Sequence, residues 1–297
     1  MSIRSRAIIA LITVASSYVF LTIASRLLDR GFEHFTQSFL RVFFGGILAS
    51  VIFHRKITYS NYLNMQRKDL IGVLLMGVVG YGLFLYFITR GSLLANLINV
   101  SAIYATLPFF TALYSALFLR KMPSFLQIFL TVLSVLGVIV VSTKSFVPNF
   151  DSFGQGELFV LIAASCGAFY VIGRKFVSDV LNNYELSVLV MGVAALTTLT
   201  LARINGESFT VESFFIPDVI LGLLLGSGLN IVATFFENFA FKQLDSVFAS
   251  QVLLTENIFA FIFGYLLYNE TISVPEFFGA SLIIISVYIS NRYLHES

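Results

Sequence analysis

The 297-residue chain contains no tryptophan, a single cysteine and only 11% charged residues. The lone Cys166 excludes an intrachain disulfide and a cysteine metal cluster, and within its apolar run it is expected to pack as a small residue. Without tryptophan, an aromatic belt at a membrane interface must consist of tyrosine and phenylalanine. The sequence also lacks a P-loop, an HExxH pattern and a GxSxG elbow, so it carries no signature of an ATP-driven pump, a zinc hydrolase or a serine hydrolase.

Long apolar runs dominate what is present, and apolar residues make up 58% of the chain. A soluble protein of this length could not bury so much apolar surface, so the composition predicts a polytopic membrane protein. A helix needs about 20 apolar residues to cross a bilayer. Ten such runs lie near residues 7–25, 35–53, 69–89, 94–119, 124–142, 156–173, 186–204, 217–241, 247–268 and 275–293. The first follows MSIRSR directly and is too long for the core of a signal peptide, so we expect a retained span.

Two halves of the sequence match when one is shifted by 149 positions, the difference between 256 and 107. LPFFTALYSALFLRKMPS then falls on ENIFAFIFGYLLYNETIS, while the loop charge changes sign from Arg120-Lys121 to Asn269-Glu270. Repeats inserted with opposite orientation would have these properties, and inverted repeats are typical of secondary transporters. We therefore predict an all-α membrane protein with ten transmembrane helices in two inverted five-helix repeats.

The predicted domains are a first repeat over residues 1–143, a polar linker over 144–155 and a second repeat over 156–297. Five spans in the first half make the second half start from the opposite side of the membrane. Of the 18 Lys and Arg residues, twelve fall on the side of the N-terminus, five on the other side and one within a span. Because Lys and Arg favour the cytoplasmic side of short loops, we expect a multi-pass protein of the cell (inner) membrane with both termini cytoplasmic.

Glu256 lies within the ninth predicted span, where an ionisable group costs about 2.5–3.5 kcal/mol and is therefore a candidate for function. It shares a helix side with the small residues Ala249, Ala260 and Gly264. Small residues mark places where helices approach closely, so we expect the carboxylate to face protein or a cavity and not lipid. It either binds a proton or a substrate amine, or forms a helix-to-helix hydrogen bond that only holds the bundle together.

A polar stripe along the eighth predicted span consists of Gly226, Asn230, Thr234 and Glu237. Hydrocarbon penalises unpaired polar groups, so the stripe must pack against another helix or line a wet cavity, and we favour the cavity. Glu237 would then bind a proton or substrate; the alternative is an interfacial carboxylate that pairs with Lys242. The shift of 149 positions pairs Asn230 with Tyr81, and none of the positions paired with the stripe is an acid. We therefore expect a cavity with one polar wall, from the second repeat, and one aromatic wall, from the first.

In the fourth span, Asn99 belongs to a polar stripe that leads to Pro108. A proline inside a span frees a backbone carbonyl and often marks a kink. The repeat partner of Pro108 is Asn257, so both central spans carry a special residue at the same depth, as expected for a site at the repeat interface. We expect Tyr104 of the fourth span to line the cavity as well.

Arg41 starts the apolar part of the second span. It either binds substrate or pairs structurally with a carbonyl or an acid, and the structural pairing is favoured. In the first span, Thr13, Ser16 and Ser17 form a small polar patch, for which helix packing is favoured over a binding role.

Together these residues resemble the EamA branch of the drug/metabolite transporter superfamily. FLRVFFGGILAS with Arg41 is similar to the family's second span, and LPFFTALYSALFLRKMPSFLQ is similar to its proline-centred fourth span. TENIFAFIFGYLLYNETIS keeps the acids Glu256 and Glu270 of the repeated ninth span, with Asn257 in place of a proline, and AFKQL matches the sequence after the eighth span. The resemblance implies alternating access around a central cavity formed chiefly by spans 1, 3, 4, 6, 8 and 9.

The leading hypothesis is a secondary transporter, independent of ATP, that exports amino acids or other small metabolites by alternating access. Its expected partners are a small-molecule substrate, the lipid bilayer and protons as coupling ion, with no cofactor, no nucleic acid and no enzymatic activity. Two alternatives stay open: a multidrug efflux carrier of the same fold, and a non-transporting membrane subunit or regulator. A membrane enzyme for a lipid or polyprenyl substrate would need clustered acids or histidines at one face, and the sequence has none.

Overall fold

The computed structural model describes residues 2–95, 97–147, 154–208, 210–268 and 273–293, and at some positions within helices, Asn99 and Ala260 among them, it describes no side chain. Within these ranges the regular structure is helical. The helices are α1 (Ile3–Leu28), α2 (His34–Ile52), α3 (Tyr59–Leu63), α4 (Arg67–Leu74), α5 (Phe84–Leu94), α6 (Leu97–Tyr104), α7 (Leu107–Leu119), α8 (Phe125–Thr143), α9 (Gln155–Phe176), α10 (Asn183–Ile204), α11 (Pro217–Gln243), α12 (Ser246–Leu253), α13 (Glu256–Tyr268) and α14 (Val274–Tyr293). A π-helical segment, Leu75–Leu83, joins α4 to α5, and short 3-10 helices lie at His54–Lys56 and Glu212–Phe215.

Nine helical segments of the described residues are long and apolar enough to cross a membrane. They coincide with nine of the ten predicted runs. The ninth run is occupied by α12 and α13, each too short to cross alone but long enough together. The protein is an all-α membrane protein, as the sequence predicts.

Polar side chains just before the apolar runs cap the first turn of several helices and so determine where these helices begin. Asn182 precedes α10 and Asp245 precedes α12, and each side chain accepts two backbone N–H groups of the first turn. Pro217 opens α11, where its missing N–H costs no helical hydrogen bond. Because such residues stand at the ends of apolar runs, the predicted and observed bounds agree within a few residues.

The fourth and ninth spans are both broken, and the breaks lie at equivalent positions of the two halves. Two residues separate α6 from α7, and two separate α12 from α13. At each break a threonine hydroxyl, that of Thr106 or Thr255, donates to the carbonyl three residues earlier at 2.7 Å. Such a bond competes with the backbone ladder and favours interruption of the helix. Pro108 occupies the first turn of α7, so the break predicted at this proline lies just before it.

The two halves interlock through equivalent pairs of helices. α1 packs along α11, and α9, which corresponds to α1, packs along the π segment and α5, which correspond to α11. α2 packs on its counterpart α10, and α8 packs on its counterpart α14. This exchange places the first span of each half against the third span of the other half, and the space between these pairs becomes the centre of the molecule.

The end of the bundle that contains the N-terminus is closed by buried polar contacts around α12. All eight residues of α12 are buried. Gln251 donates to Thr131 of α8 at 2.5 Å and accepts from Ser290 of α14 at 2.8 Å. Lys175 of α9 donates to the carbonyl of Leu244, just before α12, at 2.6 Å. The bond between Gln251 and Thr131 joins the two halves, the other two hold the second half together, and all three help to seal this end.

The crossing of α8 and α14 depends on two glycines, Gly137 and Gly279. A Cβ at Gly137 would lie 2.7 Å from the Gly279 carbonyl oxygen, and a Cβ at Gly279 would lie 2.6 Å from the Gly137 carbonyl oxygen. We expect Gly137→Ala to lower the free energy of unfolding by about 1–3 kcal/mol, the usual cost of overpacking, because backbone atoms cannot move aside cheaply. Thermal unfolding of the purified protein in detergent measures this loss.

Gly192→Ala is the matched control, since a Cβ at this helical glycine has nothing within 4 Å. Alanine has the higher helix propensity, so this variant should unfold at the wild-type temperature or slightly above it. Equal melting temperatures for Gly137→Ala and Gly192→Ala would contradict the close crossing.

Candidate functional site

A cavity of about 800 Å³ occupies the centre of the bundle. Its walls come from α1, α2, the π segment with α5, both parts of the fourth span, α9, α11 and both parts of the ninth span. These are the six spans expected from the family resemblance, together with the second span. The addition of α2 brings Arg41 into the site.

The cavity has an exposed mouth and a buried floor. At the mouth, the lining residues Arg26, His34 and Leu93 are exposed, and they lie at the end of the bundle opposite the N-terminus. At the floor, Val171 and Phe241 are 2% and 0% exposed. The cavity therefore opens toward one end only, and the seal around α12 closes the other.

Eight of the nine predicted site residues line this cavity, namely Arg41, Tyr81, Tyr104, Asn230, Thr234, Glu237, Glu256 and Asn257. The ninth, Asn99, has a side chain outside the described part of the chain. The residues come from five separate spans, so the fold brings together groups that the sequence keeps far apart.

Tyr81 and Asn230 show where the repeat axis passes. They are repeat partners, 149 positions apart, and the Tyr81 hydroxyl donates to Asn230 Oδ1 at 2.7 Å. A group that touches its own symmetry mate lies on the axis that relates the two copies. The cavity therefore surrounds the pseudo-two-fold axis, the place where inverted-repeat transporters build their sites.

The chemistry of the cavity differs between the two repeats. Several lining positions form repeat pairs, in which Ile88 corresponds to Glu237 and Leu107 corresponds to Glu256. In the other direction, Tyr104 of the first repeat corresponds to Leu253. At these pairs the first repeat has an apolar side chain where the second has a carboxylate, and a tyrosine where the second has a leucine.

Glu237 is 7% exposed and accepts a hydrogen bond from the Tyr18 hydroxyl of α1. The alternative pairing with Lys242 does not occur, because the Lys242 ammonium binds Asp179 in the loop before α10. That hydrogen bond lowers the pKa of the Asp179 carboxyl. Glu237 is therefore a cavity carboxylate and not an interfacial one.

Glu256 begins α13 at the second helix break and is partly exposed to the cavity. Among the residues that the structure describes, none forms a hydrogen bond or an ion pair with its carboxylate. The alternative of a helix-to-helix hydrogen bond is therefore not found among the described residues. Next to it, Asn257 donates to the Leu254 carbonyl at 3.2 Å, which links the two sides of the break.

Arg41 reaches from α2 toward α1 and α11. Its Nη1 donates to Ser25 Oγ at 2.8 Å, and its Nε is buried without a hydrogen-bond partner. Within the described part of the chain its hydrogen-bond partner is thus a neutral hydroxyl, and the acid Asp29 attracts it without a hydrogen bond. The choice between a structural pairing and substrate binding stays a prediction.

Sequence reasoning missed Tyr18, Ser25 and Tyr170, which also line the cavity. Tyr18 and Ser25 lie seven residues apart on one face of α1, and this spacing is a signal that could have identified them. The patch of Thr13, Ser16 and Ser17 that drew attention instead bonds to carbonyls of its own helix at 2.7–2.9 Å. None of the three lines the central cavity, and their helix-packing role stays a prediction.

The described residues contain no group of three or more His, Cys, Asp or Glu side chains arranged to hold a metal ion. The cavity offers the guanidinium groups of Arg26 and Arg41 and the Asp29 carboxylate toward its mouth, the carboxylates of Glu237 and Glu256 deeper inside, and tyrosine rings along its walls. An all-helical membrane protein with a one-sided cavity on the axis of two repeats has the architecture of a membrane carrier.

The EamA-like transporter family model matches residues 5–143 and again residues 154–292. The chain therefore belongs to the EamA-like transporter family, as the resemblance indicated. Both the family description and the names of relatives point to a multi-pass membrane transporter of small molecules and not to an enzyme.

Two relatives cover most of the chain. "Uncharacterized transporter YcxC" of Bacillus subtilis (strain 168) is 26% identical over 241 residues, which are 79% of this chain and 77% of the relative. An "Uncharacterized transporter" of Archaeoglobus fulgidus is 24% identical over 236 residues, 76% of this chain and 79% of the relative. A solved crystal structure superimposes with a TM-score of 0.78 at 15% identity and covers 99% of this chain and 100% of its own, which shows a shared fold.

Proposed function

We propose that this protein is a secondary transporter that exports small amine-bearing metabolites, such as amino acids, across the cell (inner) membrane by alternating access. The observation that carries the proposal is the central cavity, which is open at one end, sealed at the other and lined by three carboxylates, with Glu237 and Glu256 inside the spans and Asp29 at the end of α1. Charged groups inside a membrane are costly and are typically found in substrate or proton pathways.

In this proposal Glu256 binds the substrate amine or a proton, and Glu237, held by Tyr18, provides the second carboxylate. Tyr81 and Asn230 line the middle of the pathway, while Tyr104, Thr234 and Asn257 complete its walls. With cytoplasmic termini, the open mouth faces outward, so the structure corresponds to the state that releases an exported substrate. Protons returning through the carboxylates would drive export. The sealed end around α12 would open in the opposite state.

A two-stage experiment tests the proposal. Purified protein is first screened by thermal unfolding against amino acids, nucleosides and polyamines, where a ligand at 100 times its Kd stabilises by about 2.7 kcal/mol. Each ligand found is then tested for flux in proteoliposomes that contain this protein alone. Flux above that of protein-free liposomes supports a transporter. Ligand binding without flux would favour a non-transporting regulator, and binding restricted to bulky apolar cations would favour a multidrug carrier.

A further inference from the structure

Arg41 holds a positive charge in the mouth half of the cavity, and no carboxylate of the described residues forms a hydrogen bond or a close ion pair with it. Its stem lies against α11, where a Cβ at Gly226 would be 2.5 Å from Arg41 Cδ. A guanidinium carries five N–H donors, and the described residues engage one of them, through Ser25. Asp29, one helical turn beyond Ser25, also lines the cavity and attracts Arg41 electrostatically, but its carboxylate is hydrogen-bonded by Gln37 and lies 3.5 Å from His34 Nδ1.

A charge in this position is destabilising unless something compensates it. Removing one partner of a buried ion pair costs about 3–5 kcal/mol, because a buried charge is left unpaired. Arg41 comes close to that situation, because Asp29 attracts it without a hydrogen bond and its Nε has no hydrogen-bond partner among the described residues. An anionic group that enters the cavity would supply the missing acceptor, and a carboxylate matches the planar guanidinium well.

The distance between Arg41 and the carboxylates follows from two helices that span the cavity. On α11, Glu237 lies eleven residues beyond Gly226, which is about 16 Å along the axis at 1.5 Å per residue. On α1, Tyr18, which binds Glu237, lies seven residues before Ser25, which binds Arg41, or about 10 Å. The guanidinium and the Glu237 carboxylate are therefore separated by about 10–16 Å.

This separation limits which ligand can satisfy both ends at once. Charge-assisted hydrogen bonds of about 2.8 Å at each end leave about 5–10 Å between the charged groups of the ligand. In an α-amino acid the two groups flank one carbon and lie about 2.5 Å apart, so it cannot reach both. Each further residue of an extended peptide adds about 3.3–3.6 Å, so a dipeptide or tripeptide does reach.

We infer that the substrate is an elongated zwitterion whose cationic and anionic groups lie about 5–10 Å apart, with its anion on Arg41 and its cation at Glu237 and Glu256. Peptides of two or three residues and ω-amino acids of six to eight carbons have this form. The Tyr81–Asn230 pair lies between the two charged ends and meets the middle of the ligand. The inference rests on the proposed function and adds to it a substrate length and an anion site.

A chain-length series tests the inference with purified protein. Binding of glycine, 4-aminobutanoate, 6-aminohexanoate and 8-aminooctanoate is measured by thermal shift and by isothermal titration, with hexylamine and hexanoate as singly charged controls. We expect the 6- and 8-carbon zwitterions to bind at least about tenfold more tightly than glycine and than either control, since each charge-assisted hydrogen bond contributes about 1.5–3 kcal/mol.

Arg41→Gln should reduce the affinity for 6-aminohexanoate to that for hexylamine while leaving hexylamine binding unchanged. Arg41→Lys keeps the charge and most of the stem, so it should retain the length preference with weaker binding, and it covers the case in which the glutamine variant fails to fold. Ser25→Ala removes the hydroxyl that orients Arg41 and should weaken binding of the zwitterion alone.

The results also separate this inference from the proposed function. If glycine and other α-amino acids bind as well as 6-aminohexanoate and are transported in a Glu256-dependent way, the inference is wrong and the transporter proposal stands. If the length preference persists in Arg41→Gln, the anion site lies elsewhere and the inference is likewise wrong. If neither zwitterions nor hexylamine bind, both the inference and the amine-binding role fail.

Discussion

Replacing Glu256 by glutamine should reduce transport by about two to three orders of magnitude while the protein still folds. Glu256 faces the cavity without a hydrogen bond or ion pair from described residues, so its charge serves the ligand and not the packing. Glutamine keeps the shape but cannot bind a proton or pair with an amine. Loss of such a pair in a desolvated site costs about 3–5 kcal/mol, and each 1.4 kcal/mol is a factor of ten.

The measurement is the initial rate of flux in proteoliposomes, with and without a pH gradient. Glu212→Gln is the matched control, because Glu212 is an exposed acid in the loop between α10 and α11, away from the cavity. It should transport at the wild-type rate. Undiminished, pH-dependent flux in Glu256→Gln would exclude this carboxylate from proton and amine binding.

Glu237→Gln distinguishes the contribution of Glu237 to transport from that of Glu256. The amide oxygen of glutamine can still accept the Tyr18 hydroxyl, so the contact between α1 and α11 survives. If Glu237 is the secondary carboxylate, its substitution should lower the rate less than that of Glu256. The reverse order would assign the principal role to Glu237.

Hydropathy and spacing predicted much of this architecture because the bilayer imposes simple rules. Each span must be long and apolar, so runs in the sequence become helices. A polar stripe cannot face lipid, so Gly226, Asn230, Thr234 and Glu237 had to turn inward. The 149-position shift placed Tyr81 opposite Asn230, and in the structure the two side chains touch.

Other features depend on partners that no pattern specifies. The hydrogen bond between Tyr18 and Glu237 joins helices far apart in the chain, and no pattern in either segment indicates which segment will be its partner. The break before Glu256 arises without a proline, from the Thr255 hydroxyl and the Asn257 amide binding nearby carbonyls. The predicted helix side through Ala249 and Glu256 requires a continuous helix, and the break between α12 and α13 interrupts it. The neutral partner of Arg41 is likewise a product of tertiary packing.

Alternating access predicts that accessibility changes sides during transport. In a Cys166→Ser background, Ile88→Cys places a thiol in the cavity wall, and Ser250→Cys places one in the sealed segment α12, where Ser250 is 0% exposed. A membrane-impermeant thiol reagent added from the mouth side should label Ile88→Cys rapidly. Added from the side of the N-terminus, it should label Ser250→Cys about 10- to 1000-fold more slowly, since minor conformations are populated at about 0.1–10%.

Substrate that drives turnover should then change the two rates in opposite directions. Ser250→Cys should react faster because the seal around Gln251 must open in the other state, and Ile88→Cys should react more slowly because the mouth closes and ligand covers the wall. Glu212→Cys, in an exposed loop on the mouth side, should react at the same rate throughout.

Parallel changes at Ile88 and Ser250 would indicate general loosening of the bundle. No change at Ser250 during measured flux would mean that substrate leaves by a path other than the sealed end, which would contradict alternating access through this cavity.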